Sequence, residues 1–193
     1  MESEEKIKKF SEPLNYISNP NIKRYAEIAI SNIPDYFFSV AASSTGKYHP
    51  SYALGEGGLY RHTLAATKIA KSLLDLEMLS CDFSNDEKDL MIVAIILHDS
   101  QKRGFNPGEI SHSEFFHPIY AVESLKNNPK LSHLLSEEQE NIIYDAISSH
   151  MGQWNESRFE KETLPKPQTR CEKFVHMVDY LASRKFIEIN FYV

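Results

Sequence analysis

The stretch VAIILHDSQKRG, residues 93–104, carries an apolar run straight into His98 and Asp99, with Lys102 and Arg103 just beyond. A carboxylate taken into a protein interior needs a partner, because an unpaired charge there costs far more than an exposed one. That partner is a hydrogen-bonding neighbour, an ion pair or a metal. The run begins behind Ser84-Asn85-Asp86-Glu87, a serine followed three residues later by a glutamate, which is the capping-box pattern of a helix start. Leu90, Val93, Ala94 and Leu97 then fall on one helical stripe, and His98 continues it. The motif therefore sits at the inner end of a buried helix.

Working outward, helical periodicity dominates and the fold class is all-α. Leu59, His62, Ala66, Ile69, Ala70 and Leu73 share a face of a helix that starts at Gly58. His117 opens a helix containing Ile119, Tyr120, Val122 and Leu125. Ser136 to Gln139 is a second capping box, and the helix behind it buries Ile143, Ala146 and Ile147 on a face that reaches His150. Thr169 caps the last strong helix, where Cys171, Val175 and Asp179 are spaced by four. Residues 4–18 and 21–39 read as helices or helical turns. The stretches 41–57, 100–116 and 151–168 read as loops from their Gly, Pro and Ser content. The C-terminal FIEINFYV extends the last helix or forms a short strand. There is no internal repeat and no βαβ alternation. The expected organisation is an N-terminal helical segment, 1–40, packed on or extending a domain at 41–193.

The 193 residues suit one domain, and 41% hydrophobic with 25% charged residues suits a globular core. A net charge of −6 argues against a general nucleic-acid coat, although a local basic pocket would serve a small anion. Two cysteines, Cys81 and Cys171, make neither a disulfide framework nor a zinc knuckle, and both are expected reduced and packed. No signal-peptide-like or membrane-spanning run is visible, so the expectation is a cytoplasmic protein without a membrane partner.

His62, His98, His150 and Asp179 each lie on the apolar face of a different helix, Asp99 adjoins His98, and His117 starts a fifth helix. Taken singly, such a histidine is more often a core residue bonded to a backbone carbonyl. Helices that bury one stripe each must pack those stripes together, so their polar residues meet. One divalent-metal centre accounts for all six residues at once, whereas separate core roles need six explanations.

In order and surroundings these residues resemble the HD superfamily of metal-dependent phosphohydrolases, over about residues 55–187. GGLYRHTLAATKIA resembles the family's entry helix, IILHDSQK its central motif and VHMVDYLASR its closing helix. His117 in FFHPIYAVESL and His150 in AISSHMGQW resemble the added ligands of binuclear subgroups. The HD-type exoribonucleases and diadenosine tetraphosphate hydrolases are nearest in layout. The resemblance implies an HD-domain helical bundle with two divalent transition metal ions (Fe, Mn, Zn, Ni or Co). It implies that His62, His98, Asp99 and Asp179 hold one metal and that Asp99 bridges to a second held by His117 and His150. Lys102 matches the phosphate-contacting lysine of the family pattern. Gln101 stands where that pattern has glycine, and no GYP-type motif is visible.

The implied reaction is hydrolysis of a phosphoester or phosphoanhydride of a nucleotide-type substrate by metal-activated water, with Asp99 and Lys102 as catalytic residues. The alternatives are a nuclease or phosphodiesterase on short oligonucleotides or cyclic nucleotides, a metal-stapled binding module without turnover, and a binuclear-iron oxygenase. No stable nucleic-acid complex is expected, and a homo-oligomer is compatible with the sequence. Lys102, Arg103 and Arg61 are the phosphate-binding candidates; Arg61, one residue before His62, points about 100° away and lies beside the site. Arg184 leans to a different side from Asp179. Trp154, the only tryptophan, is a candidate for stacking on a base, weighed against closing the core under its loop. His49 is expected to be exposed, and His112, His133 and His176 have no place in the constellation.

Overall fold

The computed structural model describes residues 1–107 and 112–187, and these hold nine α-helices and no strand. In order they are α1 Ser3–Lys9, α2 Ser11–Leu14, α3 Pro20–Ser31, α4 Gly58–Leu74, α5 Glu77–Ser80, α6 Asn85–Leu97, α7 His117–Lys126, α8 Glu137–Ser149 and α9 Arg170–Ala182. The three capping boxes exist as reciprocal bonds, Ser84 with Glu87, Ser136 with Gln139 and Thr169 with Glu172. Each satisfies two backbone donors that a helix start otherwise leaves open.

α6 is the central element. Its residues from Asp89 to Leu97 are all buried, so it has no solvent face, and the single stripe expected from the sequence is incomplete. It packs against α3, α4, α8 and α9. Burying one such aliphatic side chain is worth about 1.5–3 kcal/mol relative to leaving it exposed. A helix apolar on every side can end only where polar groups find partners, and α6 ends at the His98-Asp99 pair.

The N-terminal segment is more broken than expected. The chain turns at Phe10 between α1 and α2, and after α3 it forms a short 3-10 turn over Asp35–Phe38. Phe10, Phe37, Phe38 and Tyr60 pack as tilted or edge-on ring pairs with centroids 5.2–6.2 Å apart, joining residues 1–40 to α4. Buried Asp89 fastens the same segment to α6: one of its oxygens accepts from the Ser18 amide, the Ser18 hydroxyl and the Asn19 amide at 2.7–2.9 Å. Gly58 begins α4 where a Cβ would lie 2.3 Å from the Ala53 carbonyl oxygen, so only glycine fits.

Cys171 is buried as expected, but Cys81, next to the short α5, is exposed. α9 stops at Ala182, and Phe186 lies outside it, largely exposed. The remainder of the C-terminal stretch, residues 188–193, and residues 108–111 of the loop after Asp99 lie outside the described residues. Among the described residues, no helix is long and apolar enough to cross a membrane.

Candidate metal centre

Five helices deliver the six residues to one place. His62 comes from the second turn of α4, His98 and Asp99 from the end of α6, and His117 from the first position of α7. His150 follows α8 directly, and Asp179 sits on the last turn of α9. All but Asp179 are buried; Asp179 keeps 20% of its side chain open. His62 Nε2 lies 2.9 Å from Asp179 Oδ1, and His98 Nε2 lies 3.4 Å from both Asp179 Oδ1 and Asp99 Oδ2. Asp99 Oδ1 is 3.0 Å from His117 Nε2 and 3.5 Å from His150 Nε2. Two overlapping groups result, His62-His98-Asp179 and His98-Asp99-His150, each with its donor atoms within 4.8 Å of one another.

The tautomers follow from the backbone. His98 Nδ1 lies 2.7 Å from the Ile95 carbonyl, His117 Nδ1 2.6 Å from that of Glu114, and His150 Nδ1 2.7 Å from that of Ile147. A carbonyl oxygen only accepts, so each Nδ1 carries a proton and each ring turns its Nε2 inward, as a lone pair wherever the ring is neutral. His117 Nε2 and His150 Nε2 then face each other at 3.3 Å. Burial pushes His150 below its ordinary pKa, and burial together with the Lys102 charge takes His117 down to about 4. Two neutral lone pairs at that separation repel unless something positive lies near both.

Burial also opposes charge on Asp99, Asp179 and His98, but mutual attraction overrides it. Lys102 and His98 hold Asp99 well below the usual carboxylate range, and His62 and His98 do the same for Asp179. The two carboxylates, Asp99 first, push His98 up to about 10 despite its burial. A positive charge between Asp99 and Asp179, proton or metal, is what the electrostatics favour. The negative ends of the α6 and α8 dipoles terminate at His98 and His150 and act in the same sense. His98 Nε2, buried without a hydrogen bond, is an orphaned donor atom of this kind. Imidazole nitrogens and carboxylates without thiolate fit a divalent transition metal.

Lys102 Nζ lies 2.8 and 2.9 Å from the two oxygens of Asp99 and 3.5 Å from His117 Nε2. The glycine-to-glutamine difference at position 101 does not disturb this. Gln101 needs no left-handed backbone, and its buried side chain donates to Ser124 on α7 at 3.3 Å. Arg61 is placed elsewhere: its guanidinium donates to the Tyr52 carbonyl at 2.6 Å and the Leu54 carbonyl at 2.9 Å, tying down the loop ahead of α4. Arg103 lines a small side cavity with Lys102, Val40 and Ala41 and does not line the cavity above the centre.

That cavity, of about 590 Å³, has Asp99, Asp179, His62 and Lys102 at its base and Tyr48, Trp154 and Arg184 among its walls. A second, of about 570 Å³, lies beside it and shares Ser43, His49, Lys102 and Met151. A cleft of about 690 Å³ between α7 and α8 lies away from the six residues and contains none of them. Three expectations change here. Trp154 is 42% exposed and does not close the core. His49 is half-buried, with its ring 5.7 Å from the His62 ring. Arg184 lines the same cavity as Asp179, because α9 has ended by then and the chain has left helical spacing.

One supporting contact had almost no signal in the sequence. His176 Nδ1 donates to the His150 carbonyl at 2.7 Å, and its ring lies against Gly152, which has φ +56. A Cβ on Gly152 would sit 2.2–2.5 Å from three ring atoms. The ring thus braces the turn that presents His150. Only a glycine two residues after a candidate ligand hinted at it.

The HD domain family model matches residues 59–184. Among curated proteins, the chain is 24% identical over 193 residues to the 3'-5' exoribonuclease YhaM of Geobacillus sp. (strain WCH70). The match covers 95% of this chain and 53% of that protein, so the chain spans about half the length of the curated relative it matches. No solved structure matches.

Proposed function

The chain belongs to the HD domain family, and we propose that it is a metal-dependent phosphohydrolase acting on a phosphoester or phosphoanhydride of a nucleotide or nucleotide-derived substrate. The observation that carries this reading is the convergence of inward Nε2 atoms from His62, His98, His117 and His150 on Asp99 and Asp179 at the base of an open cavity. In this reading His62, His98, Asp99 and Asp179 would hold one divalent ion, and Asp99, His117 and His150 would hold a second. Such ions supply a Lewis acid for the phosphoryl group and lower the pKa of water toward neutrality.

The chain's own groups do the rest. Lys102 neutralises a phosphate oxygen, and Asp99 fixes the lysine at the cavity floor through two short bonds. His117 and His150 are held by their carbonyl partners with the Nε2 lone pair turned inward. His62, His98, Asp99, His117 and His150 are buried at the base, which strengthens the charge interactions among them. Residues 1–40 extend the domain at 41–193 and support α6 from behind.

A second reading, a nuclease acting on short single-stranded oligonucleotides, draws on the exoribonuclease relative and on the paired cavities flanking Lys102. The net charge of −6 favours the smaller substrate. The test is elemental mass spectrometry of wild type and Asp99→Ala, joined to hydrolysis of nucleotides and of short oligonucleotides with the metal found. About two equivalents, reduced in the variant, with turnover, supports the proposal. A folded protein that neither contains nor takes up metal overturns it. Mononucleotide turnover that is insensitive to salt selects the first reading, and steeply salt-dependent oligonucleotide turnover the second.

A further inference from the structure

His176 and Tyr180 lie one turn apart on α9, next to Asp179, and Arg184 follows just past the helix end, so three planar groups line up beyond the metal-centre residues. Trp154, from the turn after His150, lies against these groups. Its indole is parallel to the Tyr180 ring within 13°, with centroids 5.9 Å apart, and is 6.4 Å from the His176 ring. The Arg184 guanidinium sits 4.3 Å from the centre of Tyr180 and 5.4 Å from that of Trp154. It is held there by bonds from its Nε to the Tyr180 carbonyl at 3.1 Å and from its Nη2 to the Ser183 hydroxyl at 2.8 Å. Trp154 and Arg184 line the cavity whose base is Asp99, Asp179 and Lys102.

Burial does not explain this assembly. A tryptophan used for packing hides its large ring, yet Trp154 is 42% exposed with His176, Tyr180 and Arg184 against it. A fixed aromatic face backed by a cation, on the wall of a cavity whose base suits phosphate, is complementary to one kind of group: a planar, polarisable ring joined to a phosphate.

We propose that the Trp154 indole, backed by Tyr180 and Arg184, is the platform on which a nucleobase of the substrate stacks, next to the phosphate held at Lys102. The inference rests on the phosphohydrolase reading for the phosphate but not for the base. Stacking tolerates any base and favours purines, since every base has a π-face and purines have the larger one. The platform therefore sets a requirement for a base without choosing among bases.

Trp154 is the only tryptophan in the chain, so its emission reports on the platform alone. The experiment titrates the protein with adenosine, uridine and ribose, none of which has a phosphoester to cleave. Adenosine should quench the emission saturably, uridine more weakly and ribose not at all. Hydrolysis is then compared on a short oligonucleotide and on the same oligonucleotide with an abasic terminal residue. Trp154→Ala should lower kcat/KM on the intact substrate by roughly 5- to 150-fold, the range carried by one base–aromatic stack, and leave the abasic substrate unchanged. Trp154→Phe should recover most of the loss. Arg184→Ala is the second variant, should Trp154→Ala not fold, and should show the same selectivity for the base-bearing substrate. Quenching by adenosine without hydrolysis of any phosphoester supports the platform and removes the hydrolase reading. Equal turnover of intact and abasic substrates, with no quenching, keeps the hydrolase reading and overturns the platform.

Discussion

Gly152→Ala offers a test of how the His150 turn is held. At φ +56 an alanine pays a backbone cost of about 1–2 kcal/mol, because its Cβ crowds the carbonyl. The new Cβ would also lie 2.2–2.5 Å from Cε1, Nε2 and Nδ1 of His176, so the ring must leave. Its departure breaks the bond from Nδ1 to the His150 carbonyl, worth about 1 kcal/mol. The expected destabilisation is about 2–3 kcal/mol, read as a shift of the urea midpoint at unchanged slope. The two contributions separate in a double-mutant cycle. In a His176→Ala background there is no ring to displace and no bond to lose, so Gly152→Ala should cost only the backbone part, with a coupling of about 1 kcal/mol. Both single variants should also weaken metal binding by about 10- to 100-fold, the usual effect of losing a group that supports a ligand. Additivity within about 0.5 kcal/mol would refute the idea that the ring and the glycine form one brace.

Asp89→Ala should destabilise the protein by about 3 kcal/mol, since three donors from Ser18 and Asn19 lose a charged acceptor, while metal content stays as in wild type; denaturant titration and elemental analysis check both. Lys102→Ala should leave the fold intact and raise KM for a phosphate-bearing substrate by about 10- to 100-fold, the loss of one charge-assisted contact; an unchanged KM removes Lys102 from phosphate binding. With chelator present, thermal stability should fall between pH 6.5 and 9. Folded His98 keeps its proton up to about 10 whereas the unfolded chain loses it near 6.5, so the native state binds the extra proton in that window. Saturating metal takes the place of that proton and should flatten this limb. A chelated protein that becomes more stable on the same pH step would contradict the charge arrangement around His98. On the acid side, Asp99 and Asp179 are held below 3.8, so their contribution is present above that value and is lost as pH falls through their folded pKa values.

The convergence was legible in the sequence because His62, His150 and Asp179 continue helical stripes that periodicity fixes. His62 shares a face with Ala66 and Ala70, His150 follows Ala146 and Ile147, and Asp179 follows Cys171 and Val175. Once those faces must pack around one interior, their polar residues have nowhere else to meet. The helix starts were equally legible, since a capping box is a local pattern of four residues. What the sequence hid depends on through-space contacts between loops and helices. Nothing near Arg61 in sequence shows that two carbonyls of the preceding loop occupy its guanidinium. Nothing near Asp89 shows that it anchors a segment 70 residues earlier. The difference bears on function. The six residues that converge lie on or at the ends of helices, and their placement is inherited from the fold. The groups that would select a substrate, Trp154, His49, Tyr48 and Arg184, stand in loops or past a helix end. Substitutions among these four should therefore change which substrate is bound without changing metal content. Substitutions among the six should do the reverse.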